Sequence, residues 1–274
     1  MKTPKLIKIC QYMYHLHRRN FKIYLKPRSI PHTQEVCKNS IHWVGHATTI
    51  ININNKIIVT DPVTSLYLGQ MKRLVNPSIN LSKMKIDYIL ISHGHMDHLD
   101  ISTLKKIDKS VKIICPKQYK KLLQLIGFQS IFSINENQKF TDGELTIEAY
   151  KANHDGKRYA LGRYSLSNSY LIKDKNKSVF FAGDTALTEN FKNIKSDIAL
   201  MPVGCYKPKE FEHMHCNPVQ SYEMFKMMNS KLMIPIHYKT YILAQDEDEE
   251  TIQILNSINR GDIKIIEIGE TIKF

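Results

Sequence analysis

Three histidines and one aspartate stand within six consecutive positions of the stretch ISHGHMDHLD at residues 91–100. They follow the apolar run at residues 86–91, which has the composition of a buried strand. On a helix these side chains would point in different directions, whereas in a loop that leaves a strand they can converge. An ordinary polar surface turn does not require so dense a cluster. We therefore expect a metal site formed by His93, His95, Asp97 and His98.

Imidazole and carboxylate groups suit zinc, iron or manganese, and the spacing of these four side chains suits two adjacent ions. His93 and His95 would serve one ion, and Asp97 and His98 the other. Two ions need more ligands than these four. Three further candidates each follow a strand-like run, and a rigid scaffold places ligands accurately when it delivers them from the ends of separate strands. These candidates are His154, Asp184 and His237.

Short β-rich runs alternate with helical patterns along the chain and predict an α/β sandwich. Two β-rich stretches, at about residues 41–151 and 160–267, each end with helices. We therefore expect two mixed sheets packed face to face, with helices outside, in one domain at residues 41–274 that follows a basic extension at residues 1–40. The predicted strands are IHWV, ATTIIN, KIIVT, IDYILI, VKIIC, ELTIEAY, YSLSNSYLI, SVFFAG, DIALMPV, LMIPIH and IKIIEI.

Three helices have clear boundaries in the sequence. The first, in CPKQYKKLLQLIGF, has one apolar face and ends at Gly127. The second begins with Asn217 as its N-cap and Pro218 in its first turn. The acidic run at residues 246–250 is the favoured first turn of a third helix that continues through Leu255.

The chain carries a formal net charge of +13, and the first 40 residues contain nine Lys or Arg against a single acid, Glu35. Leu6, Cys10, Met13 and Leu16 or His17 fall at helical spacing. Two interpretations follow: a basic helix that contacts an anionic membrane, or a helix packed on the domain with a solvated basic face, which we favour. Four other cations could attract an anionic head group: Lys72, Arg73, Lys157 and Arg158.

Five scattered cysteines without paired spacing fit a reducing, cytoplasmic setting. The longest apolar runs are far shorter than the roughly 20 residues needed to cross a bilayer, and the N-terminus lacks the apolar region of a signal peptide. The sequence therefore predicts a protein that is soluble or peripherally bound to a membrane.

Seven short motifs together resemble the metallo-β-lactamase superfamily, and within it the N-acylphosphatidylethanolamine-hydrolysing phospholipase D and its bacterial relatives. The likeness covers about residues 41–250. It implies an αββα four-layer sandwich with a dinuclear site at one edge. The motifs are WVGHATTI, TDPV, SHGHMDHLD, FFAGDT, MPVGCYKP, HCNP and IPIHYKTYILA.

The resemblance implies a complete ligand set, with one metal on His93, His95 and His154, a second on Asp97, His98 and His237, and Asp184 bridging both. An aspartate at position 184, where antibiotic-degrading members often carry a thiolate, argues against β-lactamase activity. The chain departs from the phospholipase pattern in HDGKR after His154, in Asn217, and in the Tyr-Lys pair after His237. These departures concern the specificity for the acyl chain and head group rather than the metals.

Two divalent ions, Zn²⁺ or alternatively Mn²⁺ or Fe²⁺, lower the pKa of a bound water and offset charge on phosphoryl oxygens, so phosphodiester hydrolysis is the leading reaction. Asp97 would orient the nucleophile, Asp184 would bridge the ions, and His215 would contact substrate or orient a ligand. Asp61 is expected to orient a metal-bound histidine. A separate zinc site in HMHC at residues 213–216 is disfavoured because it has no distal partner.

The expected substrate is a lipid or a small phosphodiester. Nuclease action on nucleic acid is an alternative because of the charge, and the same site could open a lactone. A binding module without catalysis is disfavoured because all seven expected ligands are present.

Overall fold

The computed structural model describes residues 5–158 and 164–274, with side chains from Cys10 onward. Its strands, in chain order, are β1 (Ser40–Gly45), β2 (Thr48–Ile53), β3 (Lys56–Thr60), β4 (Tyr67–Leu68), β5 (Met71–Lys72), β6 (Tyr88–Leu90), β7 (Lys112–Cys115), β8 (Ile131–Ser133), β9 (Lys139–Asp142), β10 (Leu145–Lys151), β11 (Asn168–Asp174), β12 (Lys177–Phe181), β13 (Ile198–Pro202), β14 (Leu232–Ile236) and β15 (Thr271–Lys273). Its α-helices are α1 (Lys5–Tyr24), α2 (Ile101–Leu104), α3 (Lys120–Ile126), α4 (Pro218–Met228) and α5 (Asp248–Ile258).

The strands form two mixed sheets and a small hairpin. The first sheet has the order β15-β1-β2-β3-β6-β7-β8, and the second has the order β14-β13-β12-β11-β10-β9. Each sheet is antiparallel at one end and parallel at the other, where strands β6 to β8 and β12 to β14 lie. Strands β4 and β5 pair only with each other.

Alternate residues of the first sheet belong to two different apolar clusters. Ile51 and Leu90 belong to the large core cluster that the first sheet shares with the second. Phe225 of α4 belongs to the same cluster. The preceding residues on the two strands, Ile50 and Ile89, lie in a second cluster, beneath α2 and α3. Because successive side chains of a strand point to opposite faces, this division places α2 and α3 on the outer face of the first sheet, while α4 packs on β13 of the second sheet. The predicted αββα sandwich is confirmed.

The three sequence-defined helix boundaries are also correct. Gly127 caps α3 with a φ of 109°, a left-handed conformation that favours glycine. Asn217 and Gln220 form a capping box at the start of α4. The first turn of α5 contains the expected acids Asp248, Glu249 and Glu250.

The predicted strand at residues 263–268 is wrong. Ile263 makes only an isolated bridge with Met233, while Ile266 and Ile268 are buried in the core without forming a ladder. The final strand is β15 instead, and the short strands β8 and β9 were not predicted.

The basic segment near the N-terminus forms α1, which packs on the domain through Leu16 and the buried Asn20. Cys10 and Met13, which the sequence placed on the same face as Leu16, are exposed. Lys2 and the side chain of Leu6 lie outside the described part of the chain.

Candidate metal centre

All seven predicted ligands meet at one edge of the two sheets. His93, His95, Asp97 and His98 lie in the loop after β6, and His154 lies in the loop after β10. Asp184 follows β12, and His237 follows β14. Gly183 permits a tight turn before Asp184, since its φ is +61° and a Cβ atom there would lie 2.8 Å from the Cβ of Ser92.

Three imidazoles form the first half of the centre. Nε2 of His93 lies 2.9 Å from Nδ1 of His95, and Nε2 of His154 lies 3.1 Å from that same Nδ1. Oδ2 of Asp184 is 3.9 Å from Nε2 of both His93 and His154. These four ligand atoms face a common point.

The second half contains two imidazoles and a carboxylate. Nε2 of His98 and Nε2 of His237 are 3.1 Å apart, and each is 3.6 Å from Oδ2 of Asp97. Asp184 also reaches this half, with Oδ2 at 3.2 Å from His98 and Oδ1 at 3.0 Å from His237. Asp184 therefore stands between the two halves, where a bridging ligand would be required.

The donor set fits divalent cations. Both carboxylate oxygens of Asp184 are buried, and neither accepts a hydrogen bond from the described residues. Ligands at about 2.0–2.1 Å from a tetrahedral zinc ion lie roughly 3.3 Å from each other, close to the nitrogen separations in both halves. Buried polar atoms without partners are costly, and cations at the two points would satisfy them.

Burial lowers the pKa of His93 and His95, and it lowers that of His154 to about 4, so these imidazoles keep a free lone pair near neutral pH. Burial would also lower the pKa of His98, but the carboxylates of Asp184 and Asp97 outweigh it and raise that pKa to about 10. The two carboxylates thus attract positive charge, from protons or from metal ions.

Asp61 supports the centre from behind. Its carboxylate accepts hydrogen bonds from Nδ1 of His98 at 2.6 Å and from the backbone N–H of Ser92 at 2.7 Å. This contact directs Nε2 of His98 toward the site, which is the role that the sequence predicted for Asp61. Nδ1 of His154 donates to the carbonyl of Met214 at 2.7 Å and fixes that ring in the same way.

His46 is the site residue that the sequence analysis missed. Its Nε2 lies 3.0 Å from Oδ2 of Asp97, and its ring lies 4.0 Å from the ring of His237. The backbone carbonyl of His46 also accepts the N–H of His237 at 3.1 Å. Its motif, GHAT, contributes only to the resemblance, and the separation of 51 positions between His46 and Asp97 is not a ligand-like spacing.

His215 borders the centre on the side that solvent reaches. Its Nδ1 is 3.7 Å from Oδ2 of Asp184, and its side chain is 15% exposed. Burial lowers its pKa to about 3, so the ring is neutral near pH 7. His95 and Asp97 are the other partly exposed members of the site. His213 of the HMHC motif is exposed, and the candidate metal groups among the described residues include neither it nor Cys216.

A family model described as a beta-lactamase superfamily domain matches residues 56–238, which is about two thirds of the chain. The chain belongs to the metallo-β-lactamase superfamily. It spans 65% and 60% of the length of two of the curated relatives that it matches. None of the helices among the described residues is long and apolar enough to span a membrane.

Two relatives and one solved structure give the superfamily assignment more detail. The chain is 28% identical over 231 residues to N-acyl-phosphatidylethanolamine-hydrolyzing phospholipase D 1 of Caenorhabditis elegans, covering 75% of this chain and 65% of that protein. It is 26% identical over 243 residues to a UPF0173 metal-dependent hydrolase of Bacillus cereus, covering 85% and 98% of the two chains. The fold matches Igni18, a metallo hydrolase from Ignicoccus hospitalis, with a TM-score of 0.66 at 21% identity, over 86% and 97% of the two chains.

The four cations that could attract a head group all make polar contacts within the protein. Arg73 is fully buried, and its guanidinium donates to the carbonyls of three residues, Val44, Val63 and Val75. Lys72 is also buried and donates to backbone carbonyls at the end of α1. Lys157 pairs with Asp155, and Arg158 donates to the carbonyls of Gly94 and Leu99. The charge of these four side chains does not reveal, in the sequence alone, that their N–H groups already bind acceptors within the protein.

Proposed function

We propose that the protein is a dinuclear phosphodiesterase of phospholipase D type, acting on a lipid or on a small phosphodiester. The observation that carries this proposal is the position of Asp184 between two halves of a ligand cluster, with oxygens 3.0–3.9 Å from nitrogens in each half. Two ions held in this way can stabilise both the attacking and the leaving oxygen of a phosphoryl group. The likeness to a phospholipase D of Caenorhabditis elegans supports the same reaction class.

In this proposal the first ion is held by His93, His95 and His154, and the second by Asp97, His98 and His237, with Asp184 shared. When bound, the ions would be Zn²⁺, or Mn²⁺ or Fe²⁺, and would supply a water of lowered pKa and positive charge opposite the phosphoryl oxygens.

The protein's own residues would position the reactants. Asp97 is 19% exposed and can hold an attacking water by hydrogen bond on the open side of the centre. Asp61 and the carbonyl of Met214 keep the rings of His98 and His154 in one orientation. His215 is neutral near pH 7 and can therefore donate a hydrogen bond to a substrate oxygen without carrying charge itself.

A substrate panel tests the proposal. Metal-loaded protein should hydrolyse bis(p-nitrophenyl) phosphate and phospholipids, whereas Asp184→Asn should hydrolyse neither. Cyclic nucleotides, RNA and lactones complete the panel. The net charge of +13 makes nuclease action the second candidate. Cleavage of RNA or of lactones, with phospholipid and the model diester untouched, would overturn the proposal.

A further inference from the structure

One face of α1 exposes large apolar side chains to solvent. Tyr14, Phe21 and Leu25 are 63%, 69% and 93% exposed, and Arg18 is exposed between them. The spacing of four, three and four residues along this series places all four on the same side of the helix and of the turn that follows it, where Leu25 lies. We call these four residues the outer stripe. Apolar side chains clustered in this way indicate an interaction surface.

The opposite face of α1 is fixed to the domain. The hydroxyl of Tyr12 donates to the carbonyl of Leu243 at 2.7 Å, and the amide of Asn20 donates to the carbonyl of Ile242 at 3.0 Å. Arg19 pairs with Glu247 at 2.9 Å. Lys72 caps the carbonyls at the end of the helix. The inner face is therefore already occupied, and the outer stripe cannot turn inward without breaking these contacts.

The surroundings of the outer stripe are aromatic and cationic. The ring of Tyr24 lies 5.8 Å from the ring of Tyr67, and the guanidinium of Arg28 lies 4.9 Å from the centre of that same ring. Lys22 and Lys26 are exposed nearby in the sequence, and residues 1–34 contain no Asp or Glu. This mixture of apolar and basic groups is typical of helices that lie in the interface of an anionic bilayer.

We propose that the outer stripe docks the protein on an anionic lipid surface, with Phe21 and Leu25 inserted among the lipids and Arg18 and Lys22 at the level of the phosphates. A second copy of the chain fits this face poorly, because two such faces would bring like charges together. A nucleic acid would satisfy the cations but would leave Leu25 in water.

Docking in this orientation deepens the proposed function and rests on it. The ring of Tyr12 packs 4.9 Å from the ring of Phe211, whose carbonyl accepts the backbone N–H of His215 at 2.9 Å. Arg19 also lines a small cavity together with His46 and His237. The helix that would rest on the lipid therefore borders the metal centre through its inner face.

The test compares two double variants of the full-length, metal-loaded protein. Phe21→Ser/Leu25→Ser alters the outer stripe, while Leu125→Ser/Val219→Ser removes apolar groups from α3 and α4 that are 85% and 50% exposed. Binding is measured by co-sedimentation with vesicles of phosphatidylcholine containing phosphatidylserine, at low and high salt. We expect the outer-stripe variant to bind at least about 10-fold more weakly than wild type. The control variant should bind like wild type, and high salt should weaken binding by all three proteins.

Several outcomes would overturn the docking proposal. Wild-type protein that ignores the anionic vesicles, or an outer-stripe variant that binds them as well as wild type, would do so. So would a wild-type dimer that becomes monomeric in the outer-stripe variant without any change in vesicle binding. Hydrolysis of bis(p-nitrophenyl) phosphate is measured in parallel and should be equal in all three proteins. Vesicle binding without diester hydrolysis would instead count against the proposed function alone.

Discussion

The hydrogen bond between His46 and Asp97 makes a specific prediction about metal affinity. Nε2 of His46 lies 3.0 Å from Oδ2 of Asp97, the oxygen that also lies 3.6 Å from Nε2 of His98 and of His237. Changing His46 to Phe keeps a ring beside His237 but removes the donor, whereas changing it to Gln keeps a donor at a similar reach. Both variants retain the same positive φ of 54° at this position, so backbone strain affects them alike.

Hydrogen-bond partners of metal ligands typically contribute 10–100-fold to metal affinity, or roughly 1.4–2.7 kcal/mol. We expect His46→Phe to weaken one of the two zinc equivalents by about this factor, and His46→Gln to stay within about threefold of wild type. Competition titration with a chromophoric chelator measures both equivalents separately.

Two results would refute this reasoning. If His46→Phe binds both ions as tightly as wild type, the hydrogen bond does not support the second half of the centre. If both variants lose one equivalent completely, His46 is itself a ligand rather than a partner of Asp97. Circular dichroism before titration checks that each variant is folded.

Three further predictions concern other groups. Asp184→Ala should lose metal and activity together because this carboxylate serves both halves; turnover with two bound metals would contradict the bridging role. Burial lowers the pKa of His42 to about 4, below its ordinary value of about 6.5, so the unfolded chain binds the extra proton and stability falls as the pH drops through this window. Between pH 7 and pH 4, the free energy of unfolding measured in urea should fall by up to about 3 kcal/mol less in His42→Gln than in wild type. An equal fall in both proteins would count against this role of His42. Arg73→Met leaves three buried carbonyls without their donor and should cost about 3–5 kcal/mol in urea unfolding, whereas a cost below about 1 kcal/mol would show that the carbonyls find other donors.

The sequence predicted the layers and the seven candidate ligands because both depend on local patterns. The nearly continuous apolar runs around Ile51 and Leu90 indicate strands buried on both faces, and the spacing of residues 93–98 brings their side chains together without tertiary information. Ligands that follow strands, such as Asp184, could be found because strand ends are readable from apolar runs.

What the sequence could not predict depends on tertiary contacts. The burial of Arg73 requires carbonyls from segments that come together only in the fold, so its charge alone suggested an exposed role. The apolar pattern at residues 263–268 arises because Ile266 and Ile268 pack into the core, not because the segment pairs in a ladder. The three-residue strand β8 is too short for its periodicity to be distinguished from a loop.

The measurement that tests the central claim most directly is metal content. Protein reconstituted with zinc, manganese or iron and then freed of loosely bound ions should contain close to two equivalents per chain by elemental analysis, because seven ligands converge on two points with Asp184 between them. Asp184→Asn, treated identically, should retain less than one equivalent. Wild-type protein without metal after each reconstitution, or with a single equivalent that Asp184→Asn also retains, would contradict a shared dinuclear centre.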